Sequence, residues 1–369
     1  PRMLSRLAAR LALRTAPALL SGVSRHAALR RLPRRTTAAG VLASSCASAS
    51  LATAEPEEPI ITQSVTLPDG RRLAFTEQGD PHGVAVFALH GMGSSHLTWH
   101  GALPLSEVAP RVRLIAVDRP GYGDSTDPPA GYSYAHFVKD LALLADELGV
   151  GQFCVAGHSS GGPYALAAAA LLPDRVLACA AVSSDPPYNH PGVPDFVRKT
   201  DDMASEGPEG AGFYGVDPKD KVAKWRMSSL EKGPAAKRHA WKQGEQGFVT
   251  DFTLERLPYS FKIESITLQE RLTFWYGSED FPAMVYGNPW MQSLVRGSKL
   301  RRVKGGDHSF KSDPAHLSAI LIELRDQAQR HLKSYEEESW QTNRSTRSKP
   351  RQPRRSSKRE ITETEQAMK

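Results

Sequence analysis

A serine hydroxyl becomes a nucleophile when a neighbouring base takes its proton, and the base works best when a carboxylate fixes its tautomer. Three segments of this chain offer those groups. The first is Gly157-His158-Ser159-Ser160-Gly161, with Ser159 at its centre. An apolar run, 152–156, precedes it and a helix-forming run, 164–171, follows. The expected local structure is strand, sharp turn, helix, with small residues flanking the serine because backbone crowds backbone there. Such a turn lifts the Ser159 hydroxyl clear of the sheet. It also aims the Ser160 N–H, at the helix N-terminus, toward negative charge developing nearby. A glycine- and serine-rich connection that binds nothing has the same composition, but the strand before and helix after favour a nucleophile.

The second segment is Lys304-Gly305-Gly306-Asp307-His308-Ser309. It directly follows the last strand-like run, and its glycines let a loop carry His308 over the C-terminal edge of the sheet. Twelve histidines compete for the role of base. His316 and His331 fall on the following helix, and His158 points away from the serine once the turn forms. The third segment, Trp275-Tyr276-Gly277-Ser278-Glu279-Asp280, ends the preceding strand and makes Asp280 the expected orienting acid. Glu279 is its neighbour, and Asp185, after the strand that follows residues 162–172, is the alternative acid. The second oxyanion donor is expected from His90-Gly91-Met92-Gly93-Ser94-Ser95, where small residues permit close approach and the Met92 N–H joins that of Ser160.

The elements that must position these groups alternate. Asp69-Gly70 between 60–65 and 72–76 signals a hairpin. Runs 84–89 and 113–118 are almost wholly apolar, as strands buried on both faces are. Helical patterns cover 96–108, 134–148 and 162–172, and further strands are expected at 152–156, 176–182, 271–276 and 299–303. A helix is expected near 288–296, and a long one starts at Pro314 with Leu317, Ile320, Leu321 and Leu324 on one stripe. This is an α/β architecture: a mostly parallel, twisted sheet of about eight strands flanked by helices. Residues 186–266 break the rhythm, with short helices near 222–230 and 235–241.

Together these features resemble the α/β-hydrolase fold family over roughly residues 60–335. The order Ser159, Asp280, His308 matches the family's order of nucleophile, acid and base. So do His90-Gly91, Asp118-Arg119-Pro120-Gly121-Tyr122-Gly123-Asp124-Ser125 and Gly277 with Asp280 three residues on. Gly247 to Asp251, with Phe252-Thr253-Leu254, is similar to a segment before the seventh strand of many peptidase-like and carboxylesterase-like members. One departure is that the spacer and Val-Pro usual after the acid are compressed here to Phe281-Pro282-Ala283-Met284. The resemblance implies a lid over the site, matching 186–266 by position. Epoxide hydrolases and haloalkane dehalogenases share the sheet but resemble this chain less, because they need a carboxylate where Ser159 stands.

Charge separates the tails from the middle. The chain carries +7, yet residues 1–54 hold nine Arg and no acid, and 341–369 hold nine Lys or Arg against three Glu. Residues 55–340 therefore carry −8, so the domain offers no basic groove and nucleic-acid binding is not expected. Arg2, Arg6, Arg10 and Arg14, beside Leu4, Leu7 and Leu11, form a basic amphipathic pattern of the kind read by mitochondrial import. A plastid destination, given the serines at 44–50, or a cytoplasmic one is the alternative. The expected organisation is a targeting segment at 1–54, the domain at 55–335 with its lid insertion, and a basic disordered tail at 336–369. Three cysteines without regular spacing, among them Cys154 and Cys179 in apolar runs, read as reduced thiols. No Cys/His spacing has a zinc pattern, and no cofactor or metal is expected. The function expected first is a serine hydrolase cleaving the ester, thioester or amide bond of a small acyl substrate. A non-catalytic receptor on the same fold, or a scaffold acting through the basic tail, are the other classes.

Overall fold

The computed structural model describes residues 61–100, 104–197 and 218–347. The 1–54 segment with Cys46, and the tail beyond Arg347, lie outside the described residues. Among these residues no helix is long and apolar enough to cross a membrane.

Eight strands form one sheet: β1 (Gln63–Thr66), β2 (Arg72–Gly79), β3 (Val84–Leu89), β4 (Val112–Val117), β5 (Phe153–His158), β6 (Val176–Val182), β7 (Leu272–Gly277) and β8 (Lys299–Val303). Their spatial order is β1-β2-β4-β3-β5-β6-β7-β8. The hairpin pair β1–β2 and the pair β2–β4 are antiparallel, and every later pair is parallel. Gly70 closes the hairpin at φ +85°, a backbone state open to glycine without strain.

Helices cover both faces. Described helices are α1 (Leu105–Val108), α2 (Tyr134–Glu147), α3 (Gly161–Leu171), α4 (Pro218–Lys232), α5 (Ala235–Ala240), α6 (Gln246–Arg256), α7 (Pro282–Leu294) and α8 (Pro314–Arg347). Successive strand residues face opposite ways, so the sheet serves two cores. Phe87, Phe153, Val155 and Phe274 pack with Phe137, Leu141 and Leu144 of α2, Leu166 of α3 and Met291 of α7. Val86, Ala88, Cys154 and Ala156 pack with Leu105 of α1 and with Leu317, Ile320, Leu321 and Leu324 of α8. Cys154 and Cys179 are free, buried thiols, and burial pushes the Cys154 pKa up to about 12.

Three expectations about helices change. The stretch 96–108 is a 3-10 turn at His96–Trp99 followed by the four-residue α1, which starts after Pro104. The helix expected near 288–296 begins at Pro282, which stands in its first turn where a missing N–H costs nothing, while Pro289 is carried inside. The last helix continues to Arg347, beyond position 336 where the disordered tail was expected to start, and no glycine or proline breaks that stretch.

Candidate active site

Parallel register is what gathers the site. Leu89 pairs with Gly157, His158 with Val182, Val182 with Trp275, and Gly277 with Val303, so β3, β5, β6, β7 and β8 end level with one another. The loops bearing Met92, Ser159, Asp185, Asp280 and His308 therefore all leave one edge. Backbone bonds extend the sheet one step into those loops: Ser159 N–H donates to Val182 O (2.9 Å), Ser183 N–H to Trp275 O (2.7 Å) and Ser278 N–H to Val303 O (2.8 Å).

At the turn after β5, Ser159 has φ +55°. A Cβ on Gly157 would sit 2.1 Å from Gly161 O, and one on Gly161 2.5 Å from Leu89 O, so the sharp turn excludes side chains at both positions. Ser159 O–H reaches His308 Nε2 at 3.0 Å, and His308 Nδ1 lies 2.8 Å from Asp280 Oδ1. A carboxylate partner assigns the proton to Nδ1, which leaves the Nε2 lone pair free to accept from the serine. Asp280 is itself held on both oxygens: Oδ1 also accepts from the Phe281 N–H (2.7 Å) and Oδ2 from Ser183 O–H (2.5 Å). The Asp280 side chain is fully buried, whereas that of His308 is 25 % exposed. An immobile acid beneath a partly open base is the arrangement a proton-accepting imidazole needs.

The structure brings Ser159, His308 and Asp280 into one hydrogen-bonded row. Asp185 is elsewhere: its carboxylate accepts from Ser160 O–H (3.3 Å) and Tyr188 O–H (3.2 Å), while both ring nitrogens of His308 go to Ser159 and Asp280. Glu255 lies close by. Burial, then the charges of Asp185 and Asp251, pushes its pKa well above the ordinary carboxylate range. Gly91 abuts Ser159, since a Cβ there would meet Ser159 Cβ at 2.9 Å, and Met92 follows directly. Among the described residues, no turn or loop hydrogen bond uses the Met92 or Ser160 N–H as donor.

His158, His90 and Lys311 support the row from outside it. His158 donates from Nε2 to the carbonyl of His308 (2.8 Å), tying the base's loop to the strand that carries the serine. Burial, with Lys311 second, holds its pKa well below the ordinary value, so the ring is neutral. His90 donates from Nδ1 to Gly91 O (2.8 Å) and accepts the Arg119 N–H at Nε2 (3.0 Å), fixing the loop before Met92. Lys311 is buried, with Nζ donating to Thr98 O (2.6 Å) and lying 4.6 Å from the Trp99 ring centre; burial lowers its pKa to about 7.

The insertion between β6 and β7 is fastened to these loops by a buried ion pair. Asp251 of α6 takes both guanidinium nitrogens of Arg119, one of them at 2.7 Å, together with Tyr122 O–H (2.6 Å) and Tyr164 O–H (2.9 Å). Arg119 in turn donates from Nε to His90 O (2.9 Å), so the insertion, the Met92 loop and α3 share one network. Trp241 and Phe248 pack on Tyr122, with Met92 beside them.

The sequence profile of the alpha/beta hydrolase fold family matches residues 84–313, well over half of the chain. This chain belongs to that family. A putative 2-succinyl-6-hydroxy-2,4-cyclohexadiene-1-carboxylate synthase of Bacillus subtilis (strain 168) is 35 % identical over 127 residues, 34 % of this chain and 45 % of the relative. Bifunctional epoxide hydrolase 2 of Sus scrofa is 34 % identical over 131 residues, 35 % of this chain and 23 % of the relative. The matched segment thus spans less than half the length of each. Among solved structures, an esterase from Rhodococcus sp. ECU1013 superimposes with a TM-score of 0.53 at 19 % identity, over 72 % of this chain and 98 % of that one. At that identity the likeness concerns the fold alone.

Proposed function

We propose that the protein is a serine hydrolase that cleaves a carboxylic ester, thioester or amide through an acyl-enzyme. One observation carries this reading: the unbroken row from Ser159 Oγ through His308 to Asp280, at 3.0 and 2.8 Å. Ser159 Oγ attacks the substrate carbonyl carbon while its proton passes to His308 Nε2, and Asp280 stabilises the resulting imidazolium. The carbonyl oxygen becomes an oxyanion held by the N–H groups of Met92 and Ser160. Each such donor is worth about 3–4 kcal/mol of barrier in comparable sites. Collapse of the tetrahedral intermediate expels the leaving group, which takes the proton from His308. Water then repeats the sequence and frees the acid.

Relatives named as epoxide hydrolases raise a different reaction. Ser159 disfavours it on chemical grounds. Attack of a serine oxygen on an epoxide carbon makes an ether, which water does not cleave under mild conditions, whereas attack on an acyl carbon makes an ester that it does. The basic leader supports mitochondrial import as its destination, and the acidic domain supports a small-molecule partner over nucleic acid. A fluorophosphonate probe is expected to label the wild-type protein at Ser159 and to leave Ser159→Ala unlabelled, with p-nitrophenyl ester turnover lost in parallel. Labelling that persists in Ser159→Ala overturns the assignment. Stoichiometric ligand binding without product release would favour a receptor.

A further inference from the structure

We propose that His96, Asp118 and His239 form a binding site for a zinc-type divalent cation, which fastens the lid insertion to the body of the sheet. The three come from distant parts of the chain: His96 opens the turn after β3, Asp118 follows β4, and His239 stands on α5 of the insertion. Their side-chain donor atoms all lie within 4.8 Å of one another. Asp118 Oδ2 is 3.0 Å from His96 Nδ1 and 3.9 Å from His239 Nδ1. Ligand atoms around a tetrahedral zinc ion, each bonded at about 2.0–2.2 Å, stand roughly 3.3 Å apart, so these separations need only small side-chain adjustments.

Two further observations point to a ligand. First, Nδ1 of both histidines is buried and without a hydrogen-bond partner, and His96 is 99 % buried, with 1 % of its surface exposed. The His96 approach to Asp118 is short but badly aligned for a hydrogen bond. Second, His239 Nε2 lies 2.9 Å from Asp124 Oδ2, which assigns a proton to Nε2 and turns Nδ1 toward Asp118. Nδ1 faces the buried Asp118 Oδ2 across 3.9 Å with no hydrogen-bond partner, a gap that a cation between the two would fill. A carboxylate behind a histidine is also the usual outer support of a metal-bound imidazole. Asp118 is preset by the backbone, since Oδ1 accepts the His96 N–H (2.8 Å) and Oδ2 the Asp124 N–H (3.0 Å).

Two imidazole nitrogens and one carboxylate oxygen suit zinc or a neighbouring transition ion better than magnesium or calcium, which prefer oxygen throughout. Water completes the set, admitted along the His239 side chain, which is 20 % exposed. No metal was expected from the sequence because the three ligands share no local spacing. The proposal is independent of the chemistry at Ser159, and its test reads the metal alone.

The experiment uses the full-length protein, stripped with EDTA and titrated with Zn2+ against a chromophoric chelator. One equivalent is expected to bind. His239→Ala should weaken that affinity at least 100-fold, and Asp124→Asn, which weakens the support behind His239 and also the pairing with Lys242, 10- to 100-fold. His239 is on a partly exposed helix, so its variant keeps the domain folded, and circular dichroism checks this. Co2+ in wild type is expected to give the strong visible absorption of a four-coordinate ion, and loss of that band in His96→Gln supplies a second readout. Equal Zn2+ affinity in wild type and His239→Ala overturns the proposal, as does the absence of any stoichiometric site. So does a protein in which these side chains hold only a proton, seen as imidazolium titration without metal uptake.

Discussion

At the scale of single residues, Asp280 is more tightly held than the His308 ring it orients. Asp280 keeps its orientation through Ser183 and the Phe281 N–H, so its second oxygen cannot swing toward solvent when His308 becomes charged. Asp280→Asn keeps the shape but offers His308 an N–H where an acceptor is needed. Ester kcat is expected to fall on the order of 10³- to 10⁴-fold, with KM little changed. Ser183→Ala removes one bond to a charged group, worth about 1.5–3 kcal/mol, so a drop of roughly 10- to 100-fold is expected in the same assay. A loss in Ser183→Ala equal to that in Asp280→Asn would mean that Ser183 does more than hold the carboxylate. Ser159, His308 and Asp280 were legible in the sequence because each follows a strand-like run in a loop rich in small residues. Asp185 met the same criterion. Only the three-dimensional path of its loop, which delivers its carboxylate to Ser160 and Tyr188, separates the two acids. Ser183 and His158 carried no signal, since their partners lie 97 and 150 positions away.

At the scale of elements, the described part of the insertion, residues 218–256, is joined to the sheet by side chains and carries no strand of the ladder. Its anchor, Asp251, is 1 % exposed, and Arg119 beside it is equally buried. Removing one charge from a buried pair strands the other, typically at about 3–5 kcal/mol. Asp251→Asn is therefore expected to lower unfolding stability by about that amount in urea titrations and to hasten proteolysis within 218–256. Unchanged proteolysis would show that the apolar packing of Trp241 and Phe248 suffices. The strands were legible almost throughout, because parallel strands buried on both faces leave long apolar runs. Helix boundaries were less so. Pro282 reads as a breaker in sequence but stands in a first turn, and Pro289 reads as a start but stands inside.

For the whole molecule, buried bases set the response to pH. His90 and His158 are held well below their ordinary 6.5, and His100 at about 4, in each case first by burial. Unfolding therefore takes up protons below pH 6.5, and stability falls as pH drops, by about 1.4 kcal/mol per unit for each histidine. Glu255 works the other way: its raised pKa means that unfolding releases a proton above 4.5, which offsets one histidine. The histidines outnumber Glu255, so stability is expected to fall as pH drops below 6.5, measurable as a slope in urea midpoints. Above neutrality Lys311 takes over. Its folded pKa of about 7 lies below the ordinary 10.5, so its burial cost is full below pH 7 and fades as pH climbs toward 10.5. Lys311→Met is expected to flatten that alkaline rise, and a rise of the same steepness in the variant would rule Lys311 out as its source.

The φ of +55° at Ser159 has a consequence for how this chain tolerates change. A residue with a Cβ in that region stores on the order of 1–3 kcal/mol of backbone strain, which only glycine escapes. Glycine gives back roughly 0.5–1 kcal/mol through the freer unfolded chain. Ser159→Gly is thus expected to melt a few degrees above wild type while losing all probe labelling. The position that carries the proposed chemistry is one where the fold alone would select a different residue, so drift toward thermal stability and retention of the hydroxyl pull in opposite directions.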